Sequence, residues 1–172
     1  MTIHLTQPQF EFLHTSNRVK SNRTYFTKVD FTGAALSGMN LKGVDFGGID
    51  LSWADLAGAD LFGANLSWAN LFGANLSRAN LSGAYLINVN LSWADVSKAD
   101  FSEANLNGAD LFGAELSQAN LKWASLVKAD LRCANLQDAI LRWAKLHGAK
   151  YSAGTIWADG INPALTGALL VP

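Results

Sequence analysis

Carboxylates are the most numerous side chains in this sequence that could take part in chemistry. The 172 residues include 14 Asp and Glu, 13 Lys and Arg, and three His. A pair of carboxylates can act as general acid and base where a water-poor concavity shifts one pKa. Nearly all of these carboxylates instead recur at one phase of a five-residue pattern, which we predict to face solvent. We therefore expect a solvated ladder of acids and no catalytic pair.

The other reactive side chains give no catalytic or metal-binding pattern. The histidines His4, His14 and His147 lack the spacing of metal ligands. The single Cys133 cannot form an internal disulfide. The glycines are periodic and form no phosphate-binding loop. We predict a protein that is not an enzyme and that uses no metal ion and no cofactor.

The overall composition argues against two classes of protein. Hydrophobic residues make up 49% of the chain, but they form no run of about 18 apolar residues that could span a membrane. The N-terminal residues lack the cationic start and apolar core of a signal peptide. We expect a cytoplasmic protein without membrane contact. The net charge of −1 is unlike that of a strongly basic nucleic-acid-binding protein, so we expect no direct binding to nucleic acid.

The charge is distributed unevenly along the chain. Residues 1–28 carry a net charge of +3, residues 29–115 carry −7, and residues 116–150 carry +4. An acidic middle therefore lies between two weakly basic ends.

A five-residue repeat runs through most of the chain and must position these side chains. From Phe31 to Leu146 every fifth residue is Leu, Phe or Val, and 20 of these 24 positions are Leu. Ala stands two residues earlier in 19 of the 24 cases. A helix would spread a period of five around its surface, and a strand would alternate it between two faces. We therefore predict a chain that turns a corner every five residues, with the Leu and Ala positions pointing inward.

Gly is frequent at the predicted corners. Of the chain's 15 glycines, 11 lie two residues after the Leu position, where a tight turn benefits from a positive φ. Because Trp, Lys and Arg occupy the same phase, we predict that a positive φ is not obligatory there. The segment Leu51–Asp55 recurs 40 residues later as Leu91–Asp95, and Trp123 recurs as Trp143. These distances favour four sides per coil over three.

The phased motif resembles that of the pentapeptide repeat family. It reads A(D/N)LXX, as in Ala54-Asp55-Leu56-Ala57-Gly58 and Ala64-Asn65-Leu66-Ser67-Trp68. The resemblance covers about three quarters of the chain. It implies an all-β fold, a right-handed quadrilateral parallel β-helix (a solenoid) with four repeats per coil. The 24 repeats would form about six coils, and a strand spacing of about 4.8 Å would give a rod about 29 Å long.

Both ends of such a rod need a cover, because open coils expose unpaired backbone and apolar layers. We predict an N-terminal cap in residues 1–24, the β-helix in residues 25–153, and a C-terminal cap in residues 154–172. Asn162-Pro163 has the sequence of a helix start, so we predict a short capping helix from Ala164 to Leu170. The closing segment is similar to that of cyanobacterial-type members of the family.

Aromatic residues at outward phases are the candidate binding residues. Exposed aromatic stripes are enriched at protein interfaces. The alternative is that each ring lies flat over the glycine of a neighbouring coil and shields the backbone. With four sides, four candidates share one face, and two others lie above each other on a second face, flanked by Lys122 and Arg142. The candidates are Trp53, Phe72, Trp93 and Phe112 on the first face, Trp68 at the preceding corner, and Trp123 and Trp143 on the second face.

These features predict a non-catalytic scaffold that presents flat faces for protein–protein interaction. The partner is a protein of unknown identity or a second copy of the chain in a homodimer. The family resemblance implies two alternatives, a DNA mimic that binds DNA gyrase and a regulatory protein that binds a transcription regulator, as a heterocyst-related member suggests. The acidic middle favours the mimic, whereas the basic ends and the many Asn residues at the same phase argue against it. No residue singles out the regulatory role.

Overall fold

The chain turns a corner every five residues, as the repeat predicts. The computed structural model describes residues 30–172 and, outside these, only Pro8 and Gln9. The predicted N-terminal cap in residues 1–24 therefore lies, except for that pair, outside the described residues. Within each repeat the Leu and Ala positions point inward, the Asp or Asn position forms a β-bridge, and the two residues after Leu form a turn.

Parallel β-bridges join residues 20 positions apart, so that one coil has four sides. Ala35 pairs with Asp55, and the ladder continues without a break in spacing to the bridge of Asp130 with Lys150. The amide of Asp55 donates to the carbonyl oxygen of Ala34 at 2.9 Å. The carbonyl oxygen of Asp55 accepts at 2.7 Å from an amide of the preceding coil. The prediction of four sides per coil is confirmed.

Stacked layers of Leu and Ala fill the interior of the rod. The Leu positions from Leu36 to Leu136 and the Ala positions from Ala54 to Ala134 are fully buried and belong to one continuous core, against which the partly buried Ile49 packs. Phe31 and Phe46 replace Leu near the N-terminal end of the described rod, and their rings meet edge to face with centroids 5.4 Å apart. Each coil buries its apolar residues against the coils on both sides, so its stability depends on its neighbours.

Every corner requires a positive φ, which corrects the sequence-based prediction. The corners from position 33 to position 148 hold 11 glycines and 13 other residues, and all of them have φ between 54° and 71°. The amide of Ala34 donates to the carbonyl oxygen of Phe31 at 2.9 Å across the turn. A turn that closes in this way with a positive φ at its third residue is of type II. Trp, Lys and Arg therefore adopt the left-handed conformation instead of a different turn.

The last coil is covered by a short strand. Strand β1 (Lys150–Tyr151) pairs in parallel with strand β2 (Leu169–Leu170). The bridge between Asn135 and Ile156 joins residues 21 positions apart, whereas the other isolated bridges join residues 20 positions apart. One extra residue therefore lies between Lys150 and Ile156, and the regular repeat ends there. None of the helices in the described part of the chain is long and apolar enough to cross a membrane.

The structure has a shorter 3₁₀ helix where the sequence predicts a helix from Ala164 to Leu170. A 3₁₀ helix spans Pro163–Thr166, and the side chain of its N-cap Asn162 accepts from the amide of Ala164 at 3.1 Å. The helix ends because Gly167 adopts a φ of 77°. The two leucines that were expected in the helix form strand β2 instead, because the last coil offers them an open ladder edge.

We predict that Leu81→Ala lowers the free energy of unfolding by about 2–5 kcal/mol, because the cavity lies between two packed coils. Urea unfolding followed by circular dichroism measures the loss. Ser97→Ala is the control, since it removes only a partly exposed hydroxyl and should change stability by less than about 0.5 kcal/mol. Equal effects of the two substitutions would contradict the stacked core.

Candidate functional site

An aromatic stripe runs along one corner of the rod through four successive coils. We define it as Trp53, Phe72, Trp93 and Phe112, the four residues that the sequence analysis placed on one face. The ring centroids of Trp53 and Phe72 are 5.2 Å apart and those of Trp93 and Phe112 are 5.6 Å apart, both edge to face. The side chains of Trp53 and Trp93 are 62% and 59% exposed. The structure thus brings these four rings together as two Trp–Phe pairs, in which the Trp rings are exposed and the Phe rings are partly exposed.

Each tryptophan of the stripe also covers the glycine of the next coil. A Cβ atom added to Gly73 would lie 2.5 Å from Cζ3 of Trp53. A Cβ atom added to Gly113 would lie 2.9 Å from Cε3 of Trp93. Shielding of the backbone and binding of a partner are therefore compatible roles for Trp53 and Trp93. Each of these two rings covers a glycine on one side, and each residue remains more than half exposed.

Trp68 lies at the preceding corner, next to an open depression. Its side chain is 69% exposed, more than that of any other exposed tryptophan of the described residues. The depression has a volume of about 470 Å³ and reaches from one coil to the next. Its lining consists of Asp45, Gly47, Gly48, Asn65, Ser67, Trp68 and Ile87.

Trp123 and Trp143 form a second aromatic cluster on a different corner. Their rings stack with centroids 4.4 Å apart and an angle of 15° between the planes. The guanidinium carbon of Arg142 lies 3.7 Å from the centroid of the Trp143 ring, and Nζ of Lys122 lies 5.5 Å from it. Cations in this position are attracted by the face of the indole ring. The flanking by Lys122 and Arg142 that was expected from the sequence is present.

An ion pair fixes a cation at the end of the aromatic stripe. Arg132 donates from Nε to both carboxylate oxygens of Asp130, at 2.9 and 3.0 Å, and from Nη2 to Oδ2 at 2.7 Å. Burial alone would raise the pKa of Asp130, but the hydrogen bonds and the charge of Arg132 outweigh it and hold that pKa below its ordinary value. The guanidinium carbon of Arg132 lies 5.5 Å from the centroid of the Phe112 ring. Arg132 is thereby held beside the last ring of the stripe.

The carboxylates are hydrogen-bonded parts of the fold, which corrects the expectation of a purely solvated ladder. Oδ1 of Asp50 accepts from the amide of Ser52 at 2.9 Å, and most other repeats make the same bond. Where Asn follows Asp in the next coil, its amide group adds a second bond, as from Nδ2 of Asn75 to Oδ1 of Asp55 at 3.1 Å. These side chains satisfy the one backbone amide of the repeat that no carbonyl group reaches.

The other residues considered for chemistry are dispersed. Among the described residues, no group of three or more His, Cys, Asp or Glu could hold a metal ion. Cys133 occupies a corner with a φ of 58°, as a substitute for Gly, and its Sγ lies 3.7 Å from Oγ of Ser152. Sequence reasoning missed one surface feature, the depression beside Trp68, because it depends on which residues stack 20 positions apart.

Comparisons with known proteins agree on the repeat. HetL, a pentapeptide repeat protein involved in heterocyst differentiation regulation from the cyanobacterium Nostoc sp. strain PCC 7120, is 33% identical, over 73% of this chain and 75% of its own, with a TM-score of 0.36. Rfr23, a pentapeptide repeat protein from the cyanobacterium Cyanothece 51142, is also 33% identical, over 73% of this chain and 88% of its own, with a TM-score of 0.33. The family model named Pentapeptide repeats matches in eight copies, over residues 22–48, 49–86, 64–102, 84–122 and 114–150.

A third solved structure is similar in fold. It is a trypsin-treated variant of QnrB1, a plasmid-mediated fluoroquinolone resistance protein, and it is 21% identical over 82% of this chain and 84% of its own, with a TM-score of 0.57. At this identity the likeness concerns the fold alone. No curated protein matches the chain in sequence.

We predict that Gly73→Ala destabilises the protein by about 0.5–1.5 kcal/mol more than Gly58→Ala, because it displaces the Trp53 ring. The two corners have φ of 63° and 64°, and a Cβ atom at Gly58 would meet nothing within 4 Å. The backbone strain therefore cancels in the comparison. Chemical unfolding of both variants, alone and combined with Trp53→Ala, measures the difference. The difference should vanish in the Trp53→Ala background, and its persistence there would show that the ring is not responsible.

We predict that the contribution of Asp130 to stability depends on pH. Because its native pKa is lowered from 3.8, the carboxylate stabilises the fold above the unfolded-state pKa and loses this effect as the pH falls through the lower native pKa. The stability difference between wild type and Asp130→Asn should therefore be constant near neutral pH and shrink below about pH 4. Urea unfolding at a series of pH values tests this, and a difference independent of pH would contradict it.

Proposed function

Because the chain belongs to the pentapeptide repeat family, we propose that it is a non-catalytic scaffold whose aromatic stripe binds a protein partner. Members of this family form right-handed quadrilateral β-helices, and they are generally structural or interaction proteins rather than enzymes. The four-sided coil described above has this fold. The observation that carries the proposal is the exposure of Trp53 and Trp93 on one corner, each in edge-to-face contact with a partly exposed Phe ring.

The stripe combines the properties of a binding surface. Tryptophan is among the residues that contribute most to binding energy at interfaces. The two Trp rings of the stripe remain mostly exposed after covering their glycines, so a partner could still remove a large apolar area from water, at about 25 cal/mol per Å². Shielding of the backbone alone would not require that exposure.

Rigidity supports the same role. The proposed rod has about six coils, and the stripe spans four of them, about 14 Å at the usual strand spacing. Its rings are held at corners whose backbone is hydrogen-bonded to the next coil, as in the bond from the amide of Trp53 to the carbonyl oxygen of Phe72 at 2.9 Å. A pre-organised surface loses little conformational entropy on binding.

Charges around the stripe indicate the chemistry of the partner. Asp50 and Asp110 each lie just before a turn that carries a ring of the stripe, separated from it only by a Leu. Asp55 and Asp95 lie two residues after Trp53 and Trp93. An apolar centre with an acidic rim fits a protein surface on which apolar residues are surrounded by Lys and Arg. Arg132 at the end of the stripe is already paired with Asp130, so it places no further charge requirement on that surface.

The alternatives have weaker support. A DNA mimic requires regularly spaced anions, whereas Asp55 and Asp60 are each followed in the next coil by Asn, at Asn75 and Asn80. The likeness to QnrB1 concerns the fold alone. Binding to a transcription regulator, the predicted cap boundaries and the cytoplasmic location stay predictions from the sequence.

We predict that changing Trp53, Phe72 and Trp93 together to Ser abolishes binding of the partner and leaves the fold intact. Affinity purification from the native host, with mass spectrometry of the captured proteins, compares the triple variant with wild type. Phe62→Ser is the matched control, because it removes an exposed aromatic ring from another corner. Circular dichroism checks the fold. Recovery of the same proteins by the triple variant would show that the stripe is not the binding surface.

A further inference from the structure

One side of the rod has small residues in its N-terminal half and large residues in its C-terminal half. We call this side the stepped face. It consists of three columns of outward residues, each repeating every 20 positions. The first column is Gly43, Gly63, Gly83, Glu103, Trp123 and Trp143; the second is Asp45, Asn65, Tyr85, Asn105, Ser125 and Lys145; the third is Gly47, Ser67, Ile87, Asn107, Val127 and His147.

In the first column the glycines lie in the N-terminal coils and the tryptophans in the C-terminal coils, so no tryptophan is adjacent to a glycine. At the aromatic stripe each Trp covers the glycine of the very next coil. On the stepped face a Cβ atom added to Gly43, Gly63 or Gly83 would meet nothing within 4 Å. Trp123 and Trp143 lie at the other end of the same column and stack on each other, with 51% and 45% of their side chains exposed. Within one chain these rings cannot reach those glycines.

We propose that a second copy of the chain covers the stepped face in an antiparallel dimer. A two-fold axis that crosses the face between the coils of Gly83 and Glu103 reverses the order of the coils. Trp143 of each copy then faces Gly43 of the other, and Trp123 faces Gly63. Because Trp123 and Trp143 stack on each other and Arg142 lies on the Trp143 ring, the pair presents its ring edges to the bare glycine backbone of the other copy.

The same two-fold axis makes the second columns of the two copies complementary in charge. Lys145 of one copy faces Asp45 of the other, and two such pairs form in the dimer. The Asp45 carboxylate is held in place, because its Oδ1 accepts from Nδ2 of Asn65 at 2.7 Å and from the amide of Gly47 at 3.0 Å. Tyr85, which is more than half exposed, lies near the axis and faces Asn105.

The third column becomes complementary in size. Val127 faces Ser67 and His147 faces Gly47 of the other copy, so larger side chains enter the depression of about 470 Å³ that these small residues line. Large residues thus meet small residues in the first and third columns, and opposite charges meet in the second. An isologous contact of this kind closes on itself and produces a dimer rather than a filament.

The aromatic stripe does not need the same partner. Its glycines, Gly73 and Gly113, are already covered within the chain. The stripe and the stepped face occupy different sides of the rod, so a dimer leaves two stripes accessible. The dimer proposal therefore does not depend on the partner of the stripe, and the failure of one proposal does not affect the other.

Sedimentation analysis of the purified full-length chain tests the dimer. We expect wild type to have twice the chain mass of 18.4 kDa. Gly63→Trp should weaken the dimer roughly tenfold or more, because it places an indole against Trp123 of the other copy. Trp123→Gly should weaken it as well. The double variant that combines Gly63→Trp with Trp123→Gly moves the indole from one of two facing positions to the other. It should therefore restore dimerisation.

Gly58→Trp is the matched control. Gly58 has a φ of 64° and empty surroundings, as Gly63 does, but it lies on a corner outside the stepped face. It should leave the dimer unchanged, and the folding of Trp at positive-φ corners is already established by Trp53 and Trp68. If Gly63→Trp fails to fold by circular dichroism, Lys145→Glu replaces it and should weaken the dimer by repulsion from Asp45.

The proposal is overturned by any of three results. The first is a monomeric wild type at micromolar concentration. The second is a Gly63→Trp variant that folds and dimerises as wild type does. The third is equal loss of the dimer in Gly58→Trp, or a double variant no better than the single variants, since either would show that the register of the two copies is different.

Discussion

The positive-φ corner is the constraint on which the rest of the structure depends. A side of only five residues closes because the third residue of each turn adopts the left-handed conformation, which lets the amide of Ala34 reach the carbonyl oxygen of Phe31. For a residue other than Gly this conformation costs roughly 1–2 kcal/mol. The next coil stabilises it, since the amide of the corner residue donates across the gap, as from Gly33 to Ser52 at 2.8 Å. A single coil would lack that bond and its apolar neighbours, and the rod is therefore stable only as a stack.

The same corner controls the surface. A side chain with a positive φ at this position extends over the adjacent coil, so the residue type at each corner and at the corner 20 positions later decides what is exposed. Trp53 followed by Gly73 gives a covered glycine and a flat, exposed indole. Trp123 followed by Trp143 gives a stacked pair with a cation on its face. Gly43, Gly63 and Gly83 in succession give bare backbone. The two surfaces proposed for interaction follow from these combinations.

The polar ladder shows why the carboxylates are poorly suited to chemistry. In most repeats the Asp or Asn before Leu accepts from a backbone amide two residues later, and Asn75 bridges to Asp55 in the next coil. Where Asp and Asn alternate along a column, as in Asp60, Asn80, Asp100 and Asn120, like charges are kept apart and each Asn donates to the preceding Asp. The position of these residues within the repeat could be predicted from the sequence, but their hydrogen bonds could not. The position depends on one repeat, whereas the hydrogen-bond partner belongs to another repeat.

Periodicity alone was sufficient to predict the inward Leu and Ala positions, the turn every five residues and the four sides of a coil, because these follow from the order of large, small and polar residues along the chain. The sign of φ at the corners, the end of the 3₁₀ helix at Gly167 and the strand pairing of Leu169–Leu170 needed the tertiary structure. So did the placement of Trp53 over Gly73 and the openness of the stepped face. The physical reason is that each of these features depends on contacts between residues about 20 positions apart, which only the stacking of the coils brings together.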